Sequence, residues 1–276
     1  MGGFIRSVVA LLVITAAPPA FAARIGDVDE LTTYLSIANF SWQETLNGQR
    51  ALKESGPVAG VGATGAVVVA TPREGSVLRL RGRAEIFGGD VDYDGQTAGS
   101  NPTPVHTDTT YFGVKGEGEI GFRITSGRSA IEPFAGLGYR WWRRDISDST
   151  TRQNGADVAV AGSLELWQSL YTKVGLRATH EVASGFNAFA EAGALYPFLN
   201  RNTAKDSTLG EPTVEPEGAW SAFAELGLEF GKLRPSLFYE GRRFSRSPSV
   251  VAGNFVVFQP DSDEDIFGVR IGWAFR

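Results

Sequence analysis

From residue 266 onward the chain alternates with period two: Phe267, Val269, Ile271, Trp273 and Phe275 are interleaved with Gly268, Arg270, Gly272 and Ala274. Successive side chains on a strand point to opposite faces, so this is a strand with one greasy face and one face of small residues and a charge. The same period recurs along the chain and predicts about ten strands, at residues 31–43, 57–70, 76–87, 108–124, 129–143, 164–179, 186–200, 219–230, 233–244 and 265–275. Each is near or above the roughly 9 to 11 residues that cross a bilayer as a tilted strand. A count of eight or twelve results if one strand is split or fused differently. The first strand is the least regular, because 33–42 changes face partway and suggests a bulge. The fold class is therefore all-β, an antiparallel transmembrane β-barrel.

The connections support this reading. Short turns at 71–75, 125–128, 180–185 and 231–232 alternate with long polar segments at 45–56, 88–107, 144–162, 201–218 and 245–264. Short periplasmic turns and long extracellular loops are the layout of outer-membrane barrels. Aromatics fall at both expected interfaces. Phe40, Trp42, Phe87, Tyr139, Trp141, Tyr196, Phe198, Tyr239, Tyr111, Phe112, Trp167 and Trp220 mark an outer girdle. Tyr34, Phe122, Phe186, Phe230, Trp273 and Phe275 mark an inner one.

The N-terminus reads as a secretory leader over residues 1–23, with Arg6, a short apolar run and Ala20-Phe21-Ala22 as the cleavage signal, which leaves 24–276 as a single barrel domain. The apolar run is shorter than the roughly 18 residues of a spanning helix. A net charge of -5 without a basic tract gives no footing for nucleic-acid binding. The absence of cysteine excludes disulfides and thiolate chemistry. No cofactor is implied.

Opposite the greasy face, charges of both signs recur at two-residue spacing: Arg79, Arg81, Arg83 and Glu85; Lys115, Glu117, Glu119 and Arg123; Glu132 and Arg140; Lys173 and Arg177; Glu191; Glu225 and Glu229; Arg234, Glu240 and Arg242; and Arg270. An Arg or Lys facing lipid at the midplane costs roughly 2–4 kcal/mol, so these are expected to face the lumen. There they either pair and brace a narrow barrel or line a small-solute channel.

Candidate chemistry lies at the end of the third strand. Asp90, Asp92 and Asp94 alternate behind Gly88-Gly89, a pattern that could offer oxygen ligands to Ca²⁺ or activate a water, or simply form a solvated turn. The bidentate Glu of an EF-hand is missing. A ten-stranded barrel of this length with Gly-Gly and alternating Asp at this place resembles the omptins, which are surface proteases. The resemblance implies Asp92 and Asp94 as the acidic pair of a water-activating site. The Asp-x-His partner of that family does not occur here. His106 stands in the same segment with Asp108 in reversed order, and His180 lies at a presumed periplasmic turn. Hydrolysis at the surface is thus the second alternative to a structural or ligand-facing barrel, after a small-solute channel. A lipid-modifying enzyme is disfavoured, because no serine and histidine adjoin at the outer rim. Segments such as 134–139 also resemble uncharacterised outer-membrane barrel proteins.

Expected partners are outer-membrane lipid, lipopolysaccharide and the barrel-assembly machinery. Arg201, Lys205, Arg242, Arg243 and Arg246 lie near the outer rim, where they could meet lipopolysaccharide phosphates. The C-terminal strand is what the assembly machinery reads, although Arg276 follows the aromatic Phe275.

Overall fold

The computed structural model describes residues 28–97, 102–153, 155–205 and 210–275; the expected leader, 1–23, lies outside them. Ten antiparallel strands form the wall: β1 (Val28–Leu46), β2 (Gln49–Arg73), β3 (Ser76–Gln96), β4 (Pro104–Ser126), β5 (Ser129–Ile146), β6 (Ser163–Ala183), β7 (Phe186–Lys205), β8 (Ser221–Phe230), β9 (Leu233–Ser245) and β10 (Asp261–Ala274). Neighbours in sequence pair throughout, and β1 pairs with β10 as well as with β2, which closes the barrel. Closure leaves every wall strand with a partner on both sides.

Burial follows the period-two pattern. Along β10, Phe267, Val269, Ile271 and Trp273 face outward, with Ile271 58% exposed, while Glu264, Gly268, Arg270 and Gly272 alternate with them. On β1 the outward residues include Leu35, 65% exposed, and the inward ones are Thr32, Tyr34, Ser36, Ala38, Phe40 and Trp42. A closed barrel whose apolar side chains lie outside and whose charges lie inside inverts the arrangement of a protein in water and suits a lipid surround.

Several inward glycines are explained by the rings beside them. Gly62 faces Tyr34, Gly113 faces Phe87, Gly138 faces Tyr171, Gly175 faces Phe134 and Gly227 faces Phe189, each pair directly opposed across neighbouring strands. A Cβ on any of these glycines would run into the partner ring. The missing side chain lets the ring lie flat on the next strand, and so a narrow lumen can hold large aromatics.

The structure corrects three expectations. First, two of the five segments read as long outer loops, 45–56 and 88–107, are mostly wall. β1 runs to Leu46 and β2 resumes at Gln49 across the two-residue turn Asn47-Gly48, both at positive φ (54° and 77°), so 45–56 is a hairpin tip rather than a loop. β3 continues to Gln96, and β4 begins at Pro104. Of the other three segments, 144–162 and 245–264 contain small hairpins, Ser149–Gln153 with Ala156–Val160 and Val250–Ala252 with Phe255–Val257. The physical reason is that these strands rise beyond the lipid. Their outward residues there, such as Asn39, Ser41 and Gln43, meet water, and the apolar stripe ends while the strand does not. β2, with 25 residues, is more than twice as long as the roughly 9–11 residues needed to cross the bilayer. β8 to β10 have only 10, 13 and 14, so the extension is tall on one side of the barrel and low on the other.

Second, the outer girdle mixes two faces. Phe112, Tyr139, Phe198 and Trp220 are exposed on the outside, whereas Phe40, Trp42, Tyr111 and Trp167 are buried inside the barrel, as is Tyr34 at the other end. Third, the face change expected in 33–42 is absent, since Tyr34 to Trp42 keep one inward register against β2. The apparent switch came from the inward aromatics Phe40 and Trp42, which look like lipid-facing residues when read by hydrophobicity alone.

Candidate functional site

The lumen is the candidate site, and it is filled from the periplasmic end upward. Glu30 accepts from Arg79 and Arg81 at 3.3 Å each and from Arg234 at 2.6 Å. Glu132 joins Arg79 (2.7 Å) to Arg177 (2.9 Å), and Glu191 joins Arg81 (3.2 Å), Lys173 (3.2 Å) and Arg177 (2.6 Å). Glu119 pairs with Arg177 and, at 3.2 Å, with Lys173.

At mid-height the Tyr171 hydroxyl donates to Glu117 at 2.7 Å, and Lys173 meets the same carboxylate at 3.3 Å. Lys115 bridges Glu240 (3.0 Å) and Glu85 (3.7 Å), and Glu225 holds Arg270 at 2.5 Å. Above them Glu264 takes Arg140 at 2.5 Å and Arg242 at 2.7 Å. Arg140 is also sandwiched, 4.5 Å from the Phe87 ring and 4.6 Å from Trp142. Contacts therefore run unbroken from Glu30 through Arg81, Glu191, Lys173, Glu117, Tyr171, Arg242, Glu264 and Arg140 to Trp142. All the expected lumen charges on β3 to β7, β9 and β10 stand on the inward face, as does Glu225, while Glu229 lines the periplasmic vestibule.

An aromatic layer caps the network. Trp142 and Trp167 stack at 5.2 Å and 11°, and Trp42 meets Trp167 edge-on at 5.2 Å; Phe244 and Tyr111 complete the cluster. Beside it Arg144 is buried among three carboxylates, Glu54 (2.9 Å), Glu165 (2.9 Å) and Glu44 (3.2 Å). This group sits above the outward apolar band. Burial disfavours the charged form of both partners, but the Glu165, Glu54 and Glu44 carboxylates outweigh it for Arg144 and hold its guanidinium well above the usual range. Burial, aided by the neighbouring Glu165 and Glu54, raises Glu44 despite Arg144. Burial also pushes the Tyr93 phenol up to about 12, with Glu44, Glu54 and Glu165 adding to it and Arg144 opposing.

Sequence reading missed Glu44, Glu54, Arg144, Glu165 and Glu264, because most of them fall in segments taken for loops. A signal was present: Glu44 follows Trp42, Arg144 follows Trp142, and Glu165 precedes Trp167, each by two residues and hence on one face.

A vestibule of about 390 Å³ opens at the periplasmic end, lined by Asp29, Arg128, Glu181, Glu229 and Phe275 among others. The cavities within the lumen above it measure about 30 to 40 Å³. About 10–15 Å³ of such space is needed to hold one water, so each of these holds only a few.

The acidic segment lies elsewhere. Asp90, Asp92 and Asp94 point outward from the extended part of β3, while Val91 and Tyr93 between them face in. Asp90 accepts from Thr110 at 2.6 Å, Asp92 stands opposite Ser55 and Asp108, and Asp94 meets Arg50 at 3.2 Å and His106 Nδ1 at 3.5 Å. His106 and these carboxylates are thus together on the outer wall, not across the barrel mouth. Among the described residues no group of three or more His, Cys, Asp or Glu side chains is placed to hold a metal. His180 faces outward at the periplasmic rim, 2.9 Å from Ser129 Oγ. Of the rim cations, Arg242 is wholly buried in the lumen and Arg243 is paired with Asp265 at 2.7 Å, while Arg201 and Arg246 are exposed.

Comparison with known proteins agrees with this architecture. The chain superposes on the outer membrane protease OmpT of Escherichia coli over 92% of its own length and 100% of that chain, with a TM-score of 0.52 and 10% identity. The translocator domain of the autotransporter NalP from Neisseria meningitidis is similar over 93% and 92% of the two chains, with a TM-score of 0.41 and 14% identity. No curated protein matches by sequence. Residues 61–237 match the family described as Autotransporter beta-domain. With that span covering β3 to β8, about half of β2 and the start of β9, and with the closed barrel around it, this outer-membrane chain belongs to the autotransporter beta-domain family.

Proposed function

We propose that this protein is a closed barrel whose lumen braces the wall and whose working surface is the tall extracellular extension, with a structural or ligand-binding role at the cell surface. The observation that carries the reading is the unbroken file of contacts from Glu30 to Trp142, capped by Trp42, Trp142 and Trp167. Moving a solute past it would require breaking several buried ion pairs, and removing one partner of such a pair costs about 3–5 kcal/mol. The alternative of a small-solute channel has the periplasmic vestibule in its favour, but the lumen cavities of about 30 to 40 Å³ beyond it support closure. The outward direction of Asp92, Asp94 and His106 lends no support to surface hydrolysis.

A dent of about 460 Å³ in the outer wall supports an amphiphilic lipid as one surface partner. Tyr139, Leu170, Phe198 and Leu199 line its apolar part, and the exposed Arg201 stands at its edge as the one cation beside Glu215 and Glu217. Lipopolysaccharide offers both acyl chains and phosphates to such a place. Loss of co-purifying lipopolysaccharide in Arg201→Ala is the expected result, and retention counts against this partner.

The main reading is tested by single-channel conductance of the refolded protein in a planar bilayer. A silent wild type and leakage in Glu117→Ala combined with Glu225→Ala are expected. Steady ohmic steps in the wild type, with ion selectivity that shifts in the variant, overturn it in favour of a channel.

A further inference from the structure

Glu44, Glu54 and Glu165 form a closed set with Arg144. Among the described residues none of the three meets another cation, and Arg144 meets no other carboxylate. Deeper in the lumen, from Glu30 to Glu264, the ion-paired carboxylates and cations match in number. With its carboxylates ionised, the Arg144 group therefore carries three negative charges against one positive. The Glu54 side chain there is fully buried, and those of Glu44 and Glu165 are 13% and 14% exposed. Excess charge is costly in such a place unless a counter-ion offsets it.

Hydrogen bonding shows where a counter-ion fits. Glu44 Oε1 accepts from Trp42 Nε1 at 3.0 Å and from Arg144 Nη1 at 3.2 Å. Glu165 Oε2 accepts from Trp167 Nε1 at 2.8 Å, from the same Arg144 Nη1 at 2.9 Å and from Asn202 Nδ2 at 3.2 Å. One nitrogen serves both carboxylates, so they lie side by side. Their second oxygens, Glu44 Oε2 and Glu165 Oε1, receive no hydrogen bond among the described residues. Glu54 differs, because Thr109 and Tyr111 donate one to each of its oxygens.

Asn202 gives an independent sign. It is 4% exposed, its amide is aimed at Glu165, and its Oδ1 is buried with no partner. Gln259 Oε1 takes a second hydrogen bond from Asn202 Nδ2 at 3.1 Å, which settles which end of the amide is the oxygen.

We propose that a hard divalent cation of the Ca²⁺ class binds at this group, with Glu44 Oε2, Glu165 Oε1 and Asn202 Oδ1 as its protein ligands. A donor set of oxygens alone selects a hard cation, and a charge of two cancels the excess. Ca²⁺ accepts irregular geometry and water in its remaining positions, and the residual exposure of Glu44 and Glu165 admits both ion and water. Bound there, the ion ties β1 to β6 and β7 across the extracellular mouth.

The test is terbium luminescence of the folded, detergent-solubilised protein, excited through tryptophan, since Trp42 and Trp167 bond directly to the two carboxylates. Tb³⁺ is expected to give saturable emission that Ca²⁺ displaces and Na⁺ at equal ionic strength does not. Saturating Ca²⁺ should also raise the thermal unfolding midpoint by roughly 5 °C. Glu44→Gln should weaken Tb³⁺ binding about tenfold or more. Asp92→Asn, on the outer wall, should leave it unchanged. Absence of saturable emission, undiminished emission in Glu44→Gln, or equal loss in Asp92→Asn overturns the proposal. So does a midpoint that rises on acidification and ignores Ca²⁺, because the carboxylates then hold a proton instead. Should Glu44→Gln fail to fold, crystals of the wild-type protein soaked in Tb³⁺ decide the matter. An anomalous peak between Glu44 and Glu165 upholds the site, and its absence refutes it.

Discussion

Gly138 and Tyr171 stand directly opposite each other on β5 and β6, and the Tyr171 ring lies over the glycine so closely that there is no room for a Cβ. The ring is fully buried, and its hydroxyl donates to Glu117 at 2.7 Å. One absent side chain thus sets the position of a residue that links the lower and upper halves of the lumen network.

Gly138→Ala is therefore expected to displace the ring and destabilise the barrel by about 1–3 kcal/mol, the usual range for overpacking. Gly116 supplies the control, because a Cβ there meets nothing within 4 Å. Gly116→Ala should stay within about 0.5 kcal/mol of wild type. Urea unfolding of the two variants, followed by tryptophan fluorescence, makes the comparison.

Arg144 is the single cation among Glu44, Glu54 and Glu165. Replacing it by Ala leaves three buried carboxylates facing one another, a loss of about 3–5 kcal/mol near neutral pH. Without the guanidinium the carboxylates bind protons more tightly in the folded state than in the unfolded one. Stability of the variant should accordingly be regained as pH falls through the carboxylate range and lost as pH rises, so unfolding midpoints from pH 4 to 8 should slope downward.

Stacked Trp142 and Trp167 form the floor of the extracellular part, together with Trp42. Trp142→Ala should remove the coupled near-ultraviolet circular dichroism of the pair and cost about 3–5 kcal/mol as a buried large-to-small change. An unchanged near-ultraviolet spectrum would contradict the stacking.

The Tyr93 phenol, pushed up to about 12 mainly by burial, favours its neutral form in the folded protein. Its contribution to stability is present below the ordinary tyrosine value near 10 and is lost as pH rises through about 12. Ultraviolet titration of the folded protein should show this late ionisation, and Tyr93→Phe should abolish that step and reduce the alkaline loss of stability.

Period-two alternation by itself determined the class of fold, because a side chain on a strand has only two faces to choose between and lipid tolerates no charge on one of them. Phe267, Val269, Ile271 and Trp273 lie outside and Arg270 inside as the pattern requires, and turn residues such as Gly231 and Lys232 separate the strands where they were read. The same logic set most of the lumen charges. What it did not decide was where the strands end, since 45–56 and 88–107 carry polar outward residues that look like loop once lipid is no longer there to demand apolar ones. Nor did hydrophobicity tell Phe40, Trp42 and Trp167, which pack inside, from Tyr139 and Trp220, which face out. Those choices depend on which glycine or carboxylate the closed register brings opposite each ring. The same register turned Asp92, Asp94 and His106 to the outer wall and gathered Arg144 with Glu54 and Glu165. Pairing between distant strands sets those neighbours, and no local pattern in the chain records it.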